Sequence, residues 1–237
     1  MSRRVQVIGA HSADFVWRAG GAIAKCVEHG GTAEVVALSY GERGESGELW
    51  KQEGQTIDNV KRLRHAEAQA AASHLGASFR CLDLGDYPLQ IDTDALLAIA
   101  DVIRAFGPDV LVTHTDTDPF NPDHPVASRA VDRARSLAAG AGVASAFATV
   151  RPPALVLFEP HQPELCNFVP HVHVDITSVW ERKVAAMAEM KAQAHLHAYY
   201  AQRGEQRGNH ARRASGRQEV RYGESFMRVT PQVVDAL

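Results

Sequence analysis

RVQVIGAHSADFVWRAGGAIAKCVEHGG, residues 4–31, decides the fold. Residues 4–10 become wholly apolar toward their end and read as a strand buried on both faces. Residues 17–29 read as a helix, closed by the pair Gly30-Gly31. Between them stand His11 and Asp14, three apart. A plain strand-to-helix turn favours Gly, Asn or Pro there.

The pattern repeats along the chain. Strands are expected over 33–39, 78–84, 109–114, 154–160 and 172–176. Helices are expected over 57–75, 93–106, from about 124, and as one long helix opening at Thr177 or Ser178. Alternation of this kind predicts an α/β domain, mostly parallel in its sheet, with helices on both faces. A single domain over 1–237 is expected, with a less regular extension from about 198 packed over the site.

Composition narrows the function classes. Hydrophobic residues make up 45% and charged residues 22% of the 237, with net charge -3, which gives no reason to expect a nucleic-acid partner. No stretch approaches the roughly 20 apolar residues of a membrane span. Cys26, Cys81 and Cys166 are scattered and odd in number, which fits a reducing cytoplasm better than a disulfide framework. The run QRGEQRGNHARRASGR, 202–217, reads either as a solvated face or as local basicity for a multiply anionic small molecule.

In an open parallel sheet, ligands bind beyond the carboxyl ends of the strands. Polar residues collect there. His11 and Asp14 follow the first strand; Glu42, Arg43, Glu45 and Glu48 the second; Asp83 and Asp86 the third. His114, Asp116, Asp118, Asn121, Asp123 and His124 follow the fourth, and Glu159 and His161 the fifth. His11, Asp14 and His124 form a three-ligand N/O set with room for water, a catalytic pattern that suits zinc and also manganese or iron. A turn histidine and an N-cap aspartate explain the first two residues equally well on spacing alone.

AHSADFVWRAGG, LSYGERGES, LRHAEAQAAASHLGA, LDLGDYPL, NPDHPVA and LFEPHQPE together resemble, in order, the PIG-L/LmbE-like family of zinc-dependent deacetylases and amidases. The resemblance implies a Rossmann-like sheet and zinc on His11, Asp14 and His124. It also exposes two departures. The usual A-H-P-D-D-E reads Ala10-His11-Ser12-Ala13-Asp14-Phe15, so the position of the deacetylase general base is Ala13. The usual H-P-D-H reads Asn121-Pro122-Asp123-His124. Alanine moves no proton, and asparagine donates a hydrogen bond without titrating.

A hydratase branch of the family is similar in these substituted motifs. It implies addition of water to the C=C of 4-oxalomesaconate, a small tricarboxylate of gallate and protocatechuate breakdown. Hydration of a conjugated alkene needs a base, an electrophile and an acid. Glu45 and His161 are the expected acid/base pair, their roles interchangeable at this point, with Glu48 and Glu42 next. Arg18, Arg43, Arg64 and Asn121 are the expected substrate contacts, with Arg212 and Arg213 as further candidates. His114 is a candidate hydrogen-bond partner behind the metal. Family relatives lead to the expectation of a homo-oligomer. Two other readings compete: an amidase or deacetylase with a relocated base, and an inactive metal-binding carrier of an organic acid.

Overall fold

An opening strand apolar on both faces must be covered twice. The computed structural model describes residues 3–233 and places β1 (Arg4–Gly9) inside a sheet with β2 (Thr32–Ala37), β3 (Ser78–Cys81), β4 (Val110–Thr113), β5 (Ala154–Phe158), β6 (Val172–Asp175) and β7 (Gly223–Arg228). The strand order is β3-β2-β1-β4-β5-β7-β6. The pairs from β3 to β5 are parallel, in register Val7↔Val35 and Val7↔Val112 across β1. Successive residues point to opposite faces, as a pleated strand requires. Val7, Val35, Val112 and Val156 join one apolar cluster, and Ile8, Val36, Leu111 and Leu155 the other.

Helices α1 (Asp14–Glu28), α3 (Ile57–Leu75), α6 (Trp180–Glu189) and α7 (His197–Ser215) contribute to the first cluster. Helices α4 (Thr93–Phe106) and α5 (Asp123–Ala139) cover the opposite face. A short helix, α2 (Gly47–Trp50), lies in the loop after β2. Thr56 caps α3 by accepting from Asn59 N–H at 3.2 Å, and Gly76 closes it in the left-handed region at φ 77°.

The chain runs outward from β1 through β2 to β3, then crosses back to β4 on the other side of β1. The crevice between the carboxyl ends of β1 and β4 is therefore the switch point where such sheets bind ligands. His11 and Asp14 leave one lip, and residues 114–124 the other.

Three expectations require correction. Among the described residues from about 198, the extension is not irregular: it forms α7 and then β7, which inserts antiparallel between β5 and β6, while residues 234–237 lie outside the described residues. Close approach makes this possible, since a Cβ at Gly208 would lie 1.9 Å from the Arg221 carbonyl oxygen. The long helix from 177 is two helices, α6 and α7, parted by a 3₁₀ stretch over Lys191–Leu196 with Gln193 at φ -130°, ψ 31°. Tertiary bonds hold that break, including Ala192 N–H to Glu67 at 3.0 Å. Finally, α1 starts at Asp14 rather than near residue 17, so Asp14 lies in its first turn.

Candidate active site

The H-x-x-D spacing folds back on itself. Asp14 Oδ2 accepts from His11 N–H at 2.8 Å. His124, in the first turn of α5, arrives from the other lip, its Nε2 3.6 Å from Asp14 Oδ1. Donor atoms of His11, Asp14, His124 and Glu45 all lie within 4.8 Å of one another.

The surroundings fix which nitrogens face that point. His11 Nε2 lies 3.2 Å from Asp123 Oδ2, and His124 Nδ1 lies 2.7 Å from Asp118 Oδ2. A carboxylate only accepts, so each imidazole turns its N–H outward and its lone pair inward. The inward atoms, His11 Nδ1 and His124 Nε2, are buried and have no hydrogen-bond partner. Asp123 is itself anchored by Tyr87 N–H and Leu89 N–H, both at 2.9 Å. His114 Nε2 lies 3.0 Å from Asp14 Oδ2, behind the set.

Electrostatics favour a cation here. Burial works to lower the His11 pKa, but Glu45, Asp123 and Asp14 outweigh it and hold His11 well above its ordinary value, so a metal ion on Nδ1 takes the place of a proton there. His124, which faces His114 and Arg18 as well, is pushed well below by burial. Two converging lone pairs, one carboxylate oxygen and a net negative surround fit a divalent ion.

A cleft of about 370 Å³ opens over this point. Glu45 reaches it from the loop after β2, which Asp86 ties down by accepting from Arg43 N–H at 2.9 Å and Gly44 N–H at 2.7 Å. Only glycine fits at 44, because a Cβ would lie 2.1 Å from the Tyr87 ring. Glu45 Oε1 lies 3.3 Å from His11 Nδ1 and accepts from Asn121 Nδ2 at 2.9 Å. Its Oε2 accepts from Gln193 Nε2 at 3.2 Å. Burial acts to raise its pKa, yet His11 and Arg18 prevail and Glu45 stays below the ordinary glutamate value, hence ionised. His161 borders the same cleft, its Nδ1 3.1 Å from Tyr200 Oη. Burial, helped by Arg18, lowers His161 to about 4.

Beside the donors, Ala13 is fully buried among apolar residues. Arg18 is buried and lines the cleft. Other candidates take different places. Glu48 sits on the exposed side of α2 at the cleft rim, paired with Lys51 at 2.6 Å. Glu42 is buried away from the donor set, with Arg43 and Lys61 each 3.9 Å from its Oε1. Arg43 donates to the Asp86 carbonyl and does not line the cleft. Arg64 is fully buried and is a strut: it pairs with Glu67 at 2.8 Å and donates to Gln193 Oε1 at 3.3 Å. Arg212 donates to Asn209 and the Val220 carbonyl. Two other arginines of the basic run, Arg203 and Arg207, clasp Glu159 instead.

Gln193 and Tyr200 were not anticipated, because nothing local in the sequence marks them. Trp17 Nε1 and Arg64 both donate to Gln193 Oε1, which leaves its amide N–H for Glu45. Asp118 was visible only as one of several polar residues after β4.

Comparison with known proteins points one way. The model of the PIG-L family, GlcNAc-PI de-N-acetylase, matches residues 6–135. A 4-oxalmesaconate hydratase of Pseudomonas putida strain KT2440 is 46% identical over 234 residues, 98% of this chain and 91% of that protein. The crystal structure of a 4-carboxy-2-hydroxymuconate hydratase from the same bacterium superposes with a TM-score of 0.96 at 44% identity, covering 99% of each chain. The N,N'-diacetylchitobiose deacetylase of Pyrococcus horikoshii shares the fold, with a TM-score of 0.79 at 19% identity over 96% of this chain and 84% of that one.

Proposed function

The chain belongs to the PIG-L family, and on that footing we propose that it is a zinc-dependent hydratase adding water to the C=C of 4-oxalomesaconate. The product is 4-carboxy-4-hydroxy-2-oxoadipate, an intermediate of gallate and protocatechuate breakdown. One observation carries the reading: His11, Asp14 and His124 bring donor atoms within 4.8 Å of one another, the base position is the buried Ala13, and an ionised Glu45 stands 3.3 Å from His11. The hydratase names of the Pseudomonas putida relatives support it.

His11 Nδ1, Asp14 and His124 Nε2 would hold the zinc ion. When bound, the ion supplies Lewis acidity toward substrate oxygens and water. Glu45, held ionised by its neighbours and aimed by Asn121 and Gln193, takes a proton from the attacking water. His161 delivers a proton to the neighbouring carbon. Free, it is neutral at pH 7, because burial and then Arg18 lower it; the negative charge of a bound polyanion acts in the opposite direction and raises it. Arg18 binds a substrate carboxylate, and Asn121 orients Glu45. We also propose a cytoplasmic location, on three free cysteines, and a homo-oligomeric state. Among the described residues no helix is long and apolar enough to cross a membrane.

The test is spectroscopic. Enzyme should bleach the absorbance of the conjugated substrate, chelation should abolish the change, and Zn²⁺ should restore it. Cleavage of acetamido sugars with the tricarboxylate left untouched would instead favour an amidase that has moved its base to Glu45 or His161.

A further inference from the structure

Arg18 is a buried cation with no carboxylate within hydrogen-bond reach. It is 7% exposed, and its Nε has no hydrogen-bond partner. Asp14 Oδ1 lies 4.0 Å from that Nε, too far for a hydrogen bond, and the same oxygen faces His124 Nε2 at 3.6 Å. Nη1 has only a long contact, 3.4 Å, to His114 Nδ1. The Phe158 ring lies 5.6 Å beneath the guanidinium. Among the described residues lining the cleft, Arg18 is the one lysine or arginine. A guanidinium buried in this state calls for an anion.

Tyr200 shares that wall of the cleft and is 4% exposed. Its ring stacks on Trp17 at 5.3 Å and 20°, so it is held in place. Burial keeps its phenol protonated; in the acid form of His161, Nδ1–H donates to Tyr200 Oη at 3.1 Å, which leaves the Tyr200 O–H free for a ligand. A rigid hydroxyl and an unsatisfied guanidinium side by side are carboxylate-binding groups.

We infer that Arg18 and Tyr200 form a carboxylate subsite that holds the substrate carboxylate on the CH end of the reacting double bond, the one β to the carbon that gains the hydroxyl; the inference rests on the hydration reading above. As the C–O bond forms at the carbon β to that carboxylate, the π pair moves onto the α-carbon and the carboxylate, and the α-carbon then takes a proton. Negative charge on this carboxylate therefore grows along the reaction. A fixed guanidinium stabilises it without reorganisation. Tyr200 links the subsite to His161, which sets the α-carbon beside its proton source.

Mesaconate is the probe, a dicarboxylate that keeps both carboxylates on the double bond and lacks the oxalo group. It would be titrated by calorimetry into zinc-loaded wild type, Arg18→Gln and Tyr200→Phe, each checked for metal content and folding. Binding should weaken about tenfold to a hundredfold in Arg18→Gln and about threefold to tenfold in Tyr200→Phe. Equal affinity in wild type and zinc-loaded Arg18→Gln, or no measurable mesaconate binding to wild type, would overturn the subsite. If Arg18→Gln fails to fold or hold zinc, Tyr200→Phe decides, and unchanged affinity there overturns it. Wild type that binds mesaconate through Arg18 yet leaves 4-oxalomesaconate unhydrated would sink the hydratase reading and leave the subsite standing.

Discussion

Replacing Lys183 by methionine should cost about 3–5 kcal/mol of stability. The residue is 2% exposed and pairs with Glu224, itself 5% exposed, on β7. Lys183 Nζ also donates to the Trp17 carbonyl at 3.0 Å. Glu224 accepts from Gly21 N–H at 2.8 Å and Ala22 N–H at 2.7 Å, so the pair is clamped against the backbone of α1. Methionine fills most of the volume, so little of the loss comes from a cavity. The main term is a carboxylate left buried without its counter-ion. For a chain of this size, about 2–4 °C per kcal/mol makes the fall in Tm about 6–20 °C.

The double variant Lys183→Met/Glu224→Gln removes the stranded charge and should recover about half of the loss or more. Thermal and urea unfolding in the presence of a chelator would measure this without metal binding masking the change. A loss under about 1 kcal/mol for the single variant would refute the reasoning, as would a double variant no more stable than the single one. The pair bears on the site because α1 carries Asp14 and Arg18 on the turns just before Gly21.

Ala13→Asp adds a carboxylate next to Asp14, whose side chain lines the cleft. At about 5 Å and an effective dielectric near 20, like charges repel by about 3 kcal/mol, so kcat/KM for hydration should fall about a hundredfold. Deacetylation should not appear, and efficient cleavage of an acetamido sugar by this variant would show a lightly damaged amidase instead. Glu45→Gln should lower kcat about 10²- to 10⁴-fold, while Glu48→Gln, at a solvent-exposed pair, should stay within about twofold; the reverse order in steady-state kinetics would reassign the base. His161 sits at about 4 when folded against about 6.5 unfolded. The unfolded chain therefore takes that proton first, and the stability present above pH 6.5 is lost as pH falls toward 4. His161→Gln should flatten that part of a Tm–pH curve, and an unchanged slope would count against the depressed value.

The strand–helix alternation, the two-faced cover of β1 and the position of His11 and Asp14 at the sheet's carboxyl edge were legible from residue order alone. These are local: apolar periodicity and a three-residue spacing are properties of neighbours along the chain. The replacement at Ala13 was equally legible, since it needs only a motif to compare. The remaining features depend on groups far apart in sequence. Glu45 and Glu48 lie in one short stretch, yet one meets His11 and the other faces solvent with Lys51. Arg64 became a strut because Gln193, from a break between helices, met it at the cleft wall. The 3₁₀ break and the strand β7 were missed for the same reason. Their backbones are held by bonds to Glu67, Phe158 and Asp175, and no apolar period encodes them. Spacing places a donor at an edge, but only packing decides which polar atoms it faces, because burial makes each unpaired group costly and the whole chain is searched for its partner.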